Sequence, residues 1–324
     1  MTALQTLADS LRSHPTIQGK RAIGDAARQL NIRACSSGKP GDDTAVLENG
    51  RGWDLLAGEG FIPRFVIDDP WFAGWCGVMV NVSDIAAMGG RPVAIVDQVW
   101  APAAECAEVL MSGMRDASEC YQVPIVGGHT NYDAFELNLA VSVFGRATAL
   151  ITSFDAEPGD VLIAAVDHRG SYRNSFDNFF AAGGAPAERL RGDLELLPEL
   201  SEAGLVKAGK DISQSGIVGT ALMLAECSSV SITIDLDAIE RPDGALLEPW
   251  LRSFPSFGFI LAVKPDDVAA VVSRFHDRNL AASAIGDITE GSTLHLKSGD
   301  ETVLFWDYAS QPYLNLQSRV PTHA

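Results

Sequence analysis

Short apolar runs of strand length alternate with longer segments of helical periodicity through both halves of this chain. Turn residues bound the short runs, of which Trp53–Ala57 and Val161–Val166 are typical, whereas Trp71–Met88 and Ala103–Tyr121 have the length and spacing of helices. Strands that alternate with helices predict an α/β or α+β fold. The 324 residues of the chain are enough for two domains of ordinary size.

The best candidate for a domain boundary is the polar segment Ser153–Asp160, which carries the turn-forming pair Pro158 and Gly159. It separates two halves that each have their own strands and helices. We therefore predict an N-terminal domain of residues 1–152 and a C-terminal domain of residues 153–324.

The chain is strongly acidic, with 42 Asp and Glu residues against 24 Lys and Arg residues and a formal net charge of −18. Nucleic acids and anionic membranes are bound through Lys and Arg, so this balance argues against both as main partners. Its apolar stretches are too short for a signal peptide or a membrane span, and we expect a cytoplasmic protein. Five cysteines without a C-x-x-C pair argue against a disulfide framework or a zinc knuckle.

Two loops place carboxylates beside apolar segments. Gly41, Asp42 and Asp43 lead into a predicted strand, and Asp84 lies with Asn81 in a stretch of small and apolar residues. A carboxylate in such a stretch is costly unless it is paired or binds a metal, and Mg²⁺ prefers oxygen ligands. The alternatives are an Asp-rich turn at the first loop and a helix-capping or salt-bridged acid at the second.

Two further loops have the composition of anion sites. Gly127 and Gly128 follow an apolar run, Val123–Val126, that we interpret as a buried strand, so their N–H groups could face an anion. The segment from Asp211 to Thr220 leads into an apolar helix, whose N-terminus could bind phosphate. The alternatives are a strand-ending turn at the glycines and plain helix capping by Ser213 or Ser215.

The segment Gly204–Asp211 nearly matches the phosphate-binding loop pattern G-x-x-x-x-G-K-[ST]. Asp211 replaces the hydroxyl residue of that pattern. The strand that should precede the loop is not predicted, because Leu190–Lys207 has the pattern of a helix. We therefore reject a phosphate-binding loop here.

The loops together resemble the AIR-synthase-related family, which includes aminoimidazole ribonucleotide synthetase, thiamin-monophosphate kinase, selenophosphate synthetase and a hydrogenase maturation factor. The matching motifs occur in the family's order over most of the chain: GDDTAV at 41–46, GEGF at 58–61, NVSDIAAMGGRP at 81–92, GGHT at 127–130, EPGD at 157–160 and DISQSG at 211–216. The third motif is the most specific of them. It is similar to the version found in thiamin-monophosphate kinase, whereas FVIDDP at 65–70 is similar to selenophosphate synthetase.

The resemblance implies a two-domain fold in which the N-terminal domain forms a dimeric, barrel-like core and the C-terminal domain is an α+β sandwich. It also implies that ATP binds with Mg²⁺ near the domain junction and that the protein is a homodimer. The residues implied as metal ligands are Asp42, Asp43, Glu59, Asp84 and Asp211, of which Asp42, Asp84 and Asp211 are the catalytic candidates. The residues implied at the nucleotide are Gly41, Asn81, Gly127, Gly128, His129 and Gln214.

Two motifs depart from the family pattern. The motif GGDT of the kinases is GGHT here, so His129 replaces a carboxylate. The motif DxSDG is DISQSG here, so Gln214 replaces its second acid and Ser215 its glycine. Neutral His and Gln are weaker Mg²⁺ ligands than carboxylates. Two hypotheses follow: an ATP- and Mg²⁺-dependent enzyme that transfers a phosphoryl group to an oxygen of a small molecule, or a nucleotide-binding scaffold without turnover.

The substrate is not evident from the sequence, although an anionic small molecule is one option. Arg169 and Arg173 could bind an anionic group, or they could be ordinary surface arginines in a solvated loop. Lys39 could activate the thiol of Cys35 in the polar stretch before the first acidic loop, while inert free thiols are the alternative for all five cysteines.

Overall fold

A computed structural model describes residues 2–32, 39–173 and 177–316 of the chain. Its helices are α1 (Ala3–Ser13), α2 (Pro15–Gly19), α3 (Ile23–Gln29), α4 (Pro63–Asp68), α5 (Pro70–Ala87), α6 (Ala104–Tyr121), α7 (Ala187–Glu202), α8 (Gly216–Ser228), α9 (Leu247–Arg252) and α10 (Val268–His276). The strands of the first half are β1 (Ala45–Glu48), β2 (Trp53–Gly60), β3 (Arg91–Trp100), β4 (Ile125–Asn131) and β5 (Asn138–Ala147). Those of the second half are β6 (Val161–Val166), β7 (Ser171–Tyr172), β8 (Asn178–Phe180), β9 (Ala208–Asp211), β10 (Val230–Asp235), β11 (Phe254–Pro255), β12 (Gly258–Val263), β13 (Ala281–Glu290), β14 (Thr293–Ser298) and β15 (Glu301–Asp307).

The fold is a mixed α/β fold of two domains, as the alternation of strands and helices predicts. By their internal contacts the residues form two compact units. The first unit consists of Met1–Asp42, Thr152–Phe180 and Leu205–Ala324, and the second of Asp43–Ile151 and Ala181–Gly204. The division into domains at residue 152 stays a prediction.

The second unit contains a five-stranded sheet in the order β1-β2-β5-β3-β4. The pair β3 and β4 is parallel and the other pairs are antiparallel. Helix α5 packs on one face of this sheet, where a Cβ at Gly77 would lie 3.0 Å from Cγ2 of Val141. On the opposite face, Leu56, Val96 and Trp100 are at least one third exposed. The sheet of this unit therefore has one helix-covered face and one open face that carries exposed apolar side chains among polar ones.

Two glycines bring helices α5 and α6 into backbone contact. A Cβ at Gly74 would lie 2.0 Å from the carbonyl oxygen of Leu110, and a Cβ at Gly113 would lie 1.9 Å from that of Trp71. Any side chain at either position would separate the helices. Because of this close approach, α5 is buried over 15 of its 18 residues.

The first unit contains a seven-stranded sheet in the order β15-β14-β10-β13-β6-β12-β9, and a small three-stranded sheet in the order β11-β8-β7. Helix α8 is buried over 11 of its 13 residues, in keeping with its almost entirely apolar sequence. Helix α1 packs through Leu4, Ala8 and Leu11 near strand β15.

Two of the predicted elements are wrong. The run Val123–Val126 is not a buried strand: β4 starts at Ile125, continues through both glycines to Asn131, and is largely exposed because it lies at the edge of its sheet. The helical pattern of Leu190–Lys207 also ends early, because α7 stops at Glu202 and strand β9 follows at Ala208. Helix α4 was not predicted, since its six residues are too few to show a helical period.

Candidate functional site

The predicted site residues divide between the two units. Those in the first unit are Gly41, Asp42, Asp211 and Gln214. Those in the second unit are Asp43, Glu59, Asn81, Asp84, Gly127, Gly128 and His129.

In the second unit, helix α5 carries three buried oxygen-bearing side chains, Asn81, Ser83 and Asp84, of which Asn81 and Asp84 are predicted site residues. Asn81 is fully buried and Asp84 is 6% exposed. The amide nitrogen Nδ2 of Asn81 donates to the carbonyl of Gly77 at 2.8 Å, but Oδ1 has no hydrogen-bond partner among the described residues. A buried acceptor left unsatisfied costs about 1–3 kcal/mol, so this oxygen is suited to a ligand that supplies a donor or a cation.

Asp84 is not a helix cap, which was one alternative for it. The N-cap of α5 is Asp69, whose Oδ1 accepts from the N–H of Phe72 at 3.3 Å, and Asp84 lies four residues before the C-cap, Met88. Residues three apart on a helix share a side, so Asn81 and Asp84 present their oxygens in neighbouring positions.

A row of residues crosses the five-stranded sheet and places a further carboxylate beside the predicted glycines. Val141 on β5 is paired with Glu59 on β2 at one side and with Asp97 on β3 at the other. Asp97 is in turn paired with Gly128 on β4. Asp97 alternates with the buried residues Ile95 and Val99, so its side chain is on the helix-covered face. Burial raises the pKa of the Asp97 carboxyl above its ordinary value.

Asp97 was not among the predicted site residues. A signal for it exists in the sequence, because it is an acid in the middle of the apolar run Pro92–Trp100, as Asp84 is in its own segment. The structure gives it a specific neighbour. A Cβ at Gly128 would lie 2.4 Å from the carboxylate oxygen Oδ2 of Asp97 and 2.5 Å from its carbonyl oxygen. Gly128 is therefore a glycine that makes room for a carboxylate, and not one that ends a strand.

His129 lies on the other face of the sheet from Gly128. It is paired with Gln98, and successive residues of a strand point to opposite faces. Gly127, paired with Val96, has the same orientation as His129. The structure thus places Glu59, Asp97 and Gly128 on the helix-covered face and Gly127 and His129 on the open face.

In the first unit, Gly41 and Asp42 form a fixed turn. Gly41 has a φ of +130°, which favours glycine. Oδ1 of Asp42 accepts from the N–H of Ser153 at 2.6 Å. The ammonium of Lys210 donates to the carbonyl of Gly41 and to Oγ of Ser153, both at 3.0 Å.

Lys210 is the lysine of the rejected phosphate-binding loop pattern. It is 4% exposed and lies on strand β9, where it is paired with Ile260 of β12. The pattern therefore does not form a phosphate-binding loop. The strand that the sequence prediction missed is β9 itself.

The segment after β9 leads into helix α8 without side-chain capping. Asp211 is 4% exposed, Gln214 is exposed, and Ser215 at the N-cap makes no capping hydrogen bond. The hydroxyl of Ser213 is buried and has no hydrogen-bond partner among the described residues. The capping alternative is therefore wrong. The helix starts at Gly216, whose φ is +65° and where a Cβ would lie 2.0 Å from the carbonyl oxygen of Leu251.

No group of three or more His, Cys, Asp or Glu side chains could hold a metal ion within the described part of the chain. Mg²⁺ commonly uses one or two carboxylates and takes its other ligands from water and substrate phosphates. The buried oxygens of Asp84 and Asn81 fit a Mg²⁺ ion that arrives with a nucleotide. They do not form a closed protein site.

The predicted basic residues have other contacts. Arg169 binds the buried carboxylate of Asp167 with Nε at 2.8 Å and Nη2 at 3.2 Å, and the guanidinium of Arg173 lies over the ring of Phe180. The ammonium of Lys39 lies 5.1 Å from the centre of the ring of Phe154. Cys35 lies outside the described residues.

Across the described ranges, no helix combines the length and apolarity that a membrane crossing requires.

Comparison with known proteins covers both halves of the chain. The family "AIR synthase related protein, N-terminal domain" matches residues 41–147, and "AIR synthase related protein, C-terminal domain" matches residues 157–298. Protein sll0787 of Synechocystis sp. is 47% identical over 301 residues, which are 90% of this chain and 92% of that protein. Selenide, water dikinase of Geobacter metallireducens is 27% identical over 295 residues, with 76% of this chain and 84% of that protein covered.

Solved structures share the fold at lower identity. Thermotoga maritima PurL complexed with ATP has a TM-score of 0.76 at 18% identity, with 97% of this chain and 52% of that chain covered. This chain thus spans about half the length of that PurL. AaThiL complexed with AMPPCP and TMP has a TM-score of 0.64 at 20% identity, with 86% of this chain and 96% of that chain covered. The two family matches include more than half of the residues, and the chain therefore belongs to the AIR synthase related proteins.

Proposed function

We propose that the protein is an ATP- and Mg²⁺-dependent enzyme that transfers the γ-phosphoryl group to an oxygen of a small-molecule substrate. The observation that carries the proposal is the buried position of Asn81 and Asp84, three residues apart on helix α5. Asp84 is a buried carboxylate, and Oδ1 of Asn81 is a buried acceptor without a partner in the described chain. A ligand that brings a donor or a cation would satisfy Oδ1 of Asn81, and the carboxylate of Asp84 is a suitable ligand for such a cation.

Phosphoryl transfer needs positioning and charge neutralisation more than it needs a protein nucleophile. When bound with ATP, Mg²⁺ supplies Lewis-acid neutralisation of the phosphate charge. In the second unit, Asp43, Glu59 and Asp84 are the proposed ligands, and Asn81 and Gly128 are proposed to contact the nucleotide. Gly127 and His129 lie on the other face of the sheet, and their contact with the nucleotide is proposed from the family resemblance alone. In the first unit, Gly41 and Gln214 are proposed as binding residues, and Asp42 and Asp211 as catalytic residues that ligate metal or orient the substrate.

The N-terminus of helix α8 supports the binding of an anionic group. Its first N–H groups receive no side-chain cap, and the helix dipole favours negative charge there. Two similar proteins support the class of reaction. One is a selenide, water dikinase, and the other is AaThiL, whose structure was solved with AMPPCP and TMP. Their substrates are not transferred to this protein beyond the class of phosphoryl transfer from ATP.

Calorimetric titration with Mg²⁺ and AMPPCP tests the proposal. We expect wild-type binding and at least about tenfold weaker binding for Asp84→Asn, because a ligand carboxylate is lost. Asp193→Asn is the matched control, since Asp193 is also a buried aspartate on a helix of the second unit and pairs with Arg189. Wild-type protein that fails to bind at millimolar nucleotide, or equal losses in both variants, would overturn the proposal.

The second candidate function is a nucleotide-binding scaffold without turnover. His129 and Gln214 favour it, because both stand where the resemblance to the kinases implies an acid. Gln214 is also exposed. A sensitive assay of ATP turnover with candidate acceptors separates the two functions. If only the double variant His129→Asp, Gln214→Asp turns over ATP, the scaffold reading is supported.

We also propose that the protein is a homodimer in which a second copy covers the open face of the five-stranded sheet. Leu56, Val96 and Trp100 expose 44%, 37% and 36% of their surface on that face. Exposed apolar side chains on an uncovered sheet face are typical of a site of association, and closed two-fold pairs are the commonest arrangement. Light scattering at micromolar concentration should give twice the 34.5 kDa mass of the chain. A monomer there would refute the dimer.

A further inference from the structure

The segment Tyr313–Leu316, here called the C-terminal strap, lies outside the two regions that match the family. Its first residues are deeply buried in the first unit, with Tyr313 fully buried and Leu314 2% exposed. The hydroxyl of Tyr313 donates to the carbonyl of Ile17 at 2.9 Å, and its ring packs edge-on against Trp306. The strap is therefore an integral part of the unit.

A single buried carboxylate holds the backbone of the strap. Oε2 of Glu226, on helix α8, accepts from the N–H groups of Tyr313 and Leu314, both at 2.8 Å. Oε1 accepts from the N–H of Asn315 at 3.1 Å. Glu226 is 7% exposed, so these three charge-assisted hydrogen bonds are formed away from water, where they are strong.

Helix α3 supports the strap from another element. A Cβ at Gly24 would lie 2.2 Å from the carbonyl oxygen of Leu314, so only glycine permits this approach. Nη1 of Arg28 donates to the carbonyl of Asn315 at 2.8 Å. The N–H groups of the strap thus face Glu226, and its carbonyls meet α3.

The end of the strap reaches the turn that carries Asp42. A Cβ at Gly41 would lie 3.1 Å from Cδ1 of Leu316 and 2.9 Å from Sγ of Cys227, the residue after Glu226. Gly41 is thereby enclosed by the strap and by α8. Its neighbour Asp42 carries the carboxylate that accepts from Ser153.

We propose that Glu226 is a positioning residue, which fixes the C-terminal strap so that Leu316 holds the Gly41–Asp42 turn and its carboxylate in place. The functional meaning of this position rests on the proposed role of Asp42 in ATP and Mg²⁺ binding. The physical coupling between Glu226 and Gly41 does not rest on it, and the experiment below measures the two separately.

Amide hydrogen exchange read by mass spectrometry on the full chain tests the coupling. In Glu226→Gln, which keeps the shape of the side chain and removes its charge, we expect exchange to accelerate about tenfold in the strap and in the peptide containing Gly41 and Asp42. In Leu316→Ala, which leaves the Glu226 bonds intact, we expect faster exchange at that turn only. Strand β10 in the same unit should be unchanged in both variants.

Asp193→Asn is the control, because it removes a buried charge from the second unit and should leave the turn unchanged. Faster exchange in the strap without any change at Gly41 and Asp42 would overturn the proposal, as would a uniform change that includes β10. If Glu226→Gln does not fold, the Leu316→Ala result decides alone. Calorimetry with Mg²⁺ and AMPPCP measures the functional consequence. We expect weaker nucleotide binding in Glu226→Gln and in Leu316→Ala than in the wild type. A wild type that binds no nucleotide contradicts the proposed function and leaves the exchange result to judge the positioning role.

Discussion

Asp97 and Gly128 face each other across the parallel strands β3 and β4, and the carboxylate of Asp97 occupies the space where a side chain at position 128 would lie. The glycine and the acid are therefore one feature of the sheet. The second glycine of the motif GGHT is required because a side chain there would overlap Asp97, which lies 31 positions earlier in the chain. It is not required by a turn.

Gly128→Ala should destabilise the protein by about 1–3 kcal/mol, because the added methyl would overlap the carboxylate and the carbonyl of Asp97. Urea denaturation measures this change. Gly127→Ala is the matched control, since a Cβ at Gly127 has no atom within 4 Å among the described residues, and we expect less than about 0.5 kcal/mol there. Equal losses at both positions would contradict this account of Gly128.

Asp97→Asn should make the protein more stable near neutral pH. Burial raises the pKa of Asp97 in the folded state, so ionisation opposes folding. The contribution of Asp97 to the free energy of unfolding is therefore fully present below the unfolded pKa of Asp, about 3.9. This contribution is lost as pH rises through the folded pKa, so the wild type then becomes less stable than the variant. Denaturation curves of both proteins at pH 4 and pH 7 measure the difference. A variant that is less stable at pH 7 would contradict the prediction.

Asn81→Ala should separate stability from binding. The variant loses the hydrogen bond from Nδ2 to Gly77, but it also loses the unsatisfied Oδ1, so we expect stability within about 1 kcal/mol of wild type. Binding of AMPPCP with Mg²⁺ should weaken about tenfold if that oxygen serves the ligand. Denaturation and calorimetry on the same preparations test both statements. A large loss of stability with unchanged binding would make Asn81 a structural residue.

Glu202→Gln should have a small effect that depends on pH. Hydrogen bonds from Arg91 and then from Thr148 lower the pKa of Glu202 to about 2. The depressed pKa gives stability that is present above the unfolded pKa of Glu, about 4.3, and is lost as pH falls through about 2. Because the pair is partly exposed, we expect less than about 1 kcal/mol at pH 7, decreasing with added salt. Titrations with denaturant at two salt concentrations check this expectation. A loss that does not respond to salt would indicate a cause other than charge.

Local pattern was sufficient for the helix that carries the candidate site. The apolar and small residues of Trp71–Met88 predict a helix, and the structure has it at Pro70–Ala87. The pattern also identifies Asp84 as an acidic residue in a stretch of small and apolar residues. The family resemblance implies its neighbour Asn81 as well, but the unsatisfied Oδ1 of Asn81 could be found only in the structure, because a missing hydrogen-bond partner is a property of the packed state.

Long-range contacts explain the errors. The buried strand β9 has the polar sequence AGKD and offers no apolar signal, since its Lys210 is satisfied by Gly41 and Ser153 from distant parts of the chain. The glycines of β4 look like a turn because local sequence does not reveal the carboxylate of Asp97 beside them. In both cases a partner remote in sequence decides the local structure.

The glycines Gly74 and Gly113 hold helices α5 and α6 at backbone contact, so neither helix has room to slide or rotate against the other. The oxygens of Asn81 and Asp84 are carried by this rigid pair, and they stand in position before any ligand arrives. Under the proposed function, a ligand at these oxygens would therefore require no ordering of helix α5, and the free energy of binding would not be reduced by such ordering.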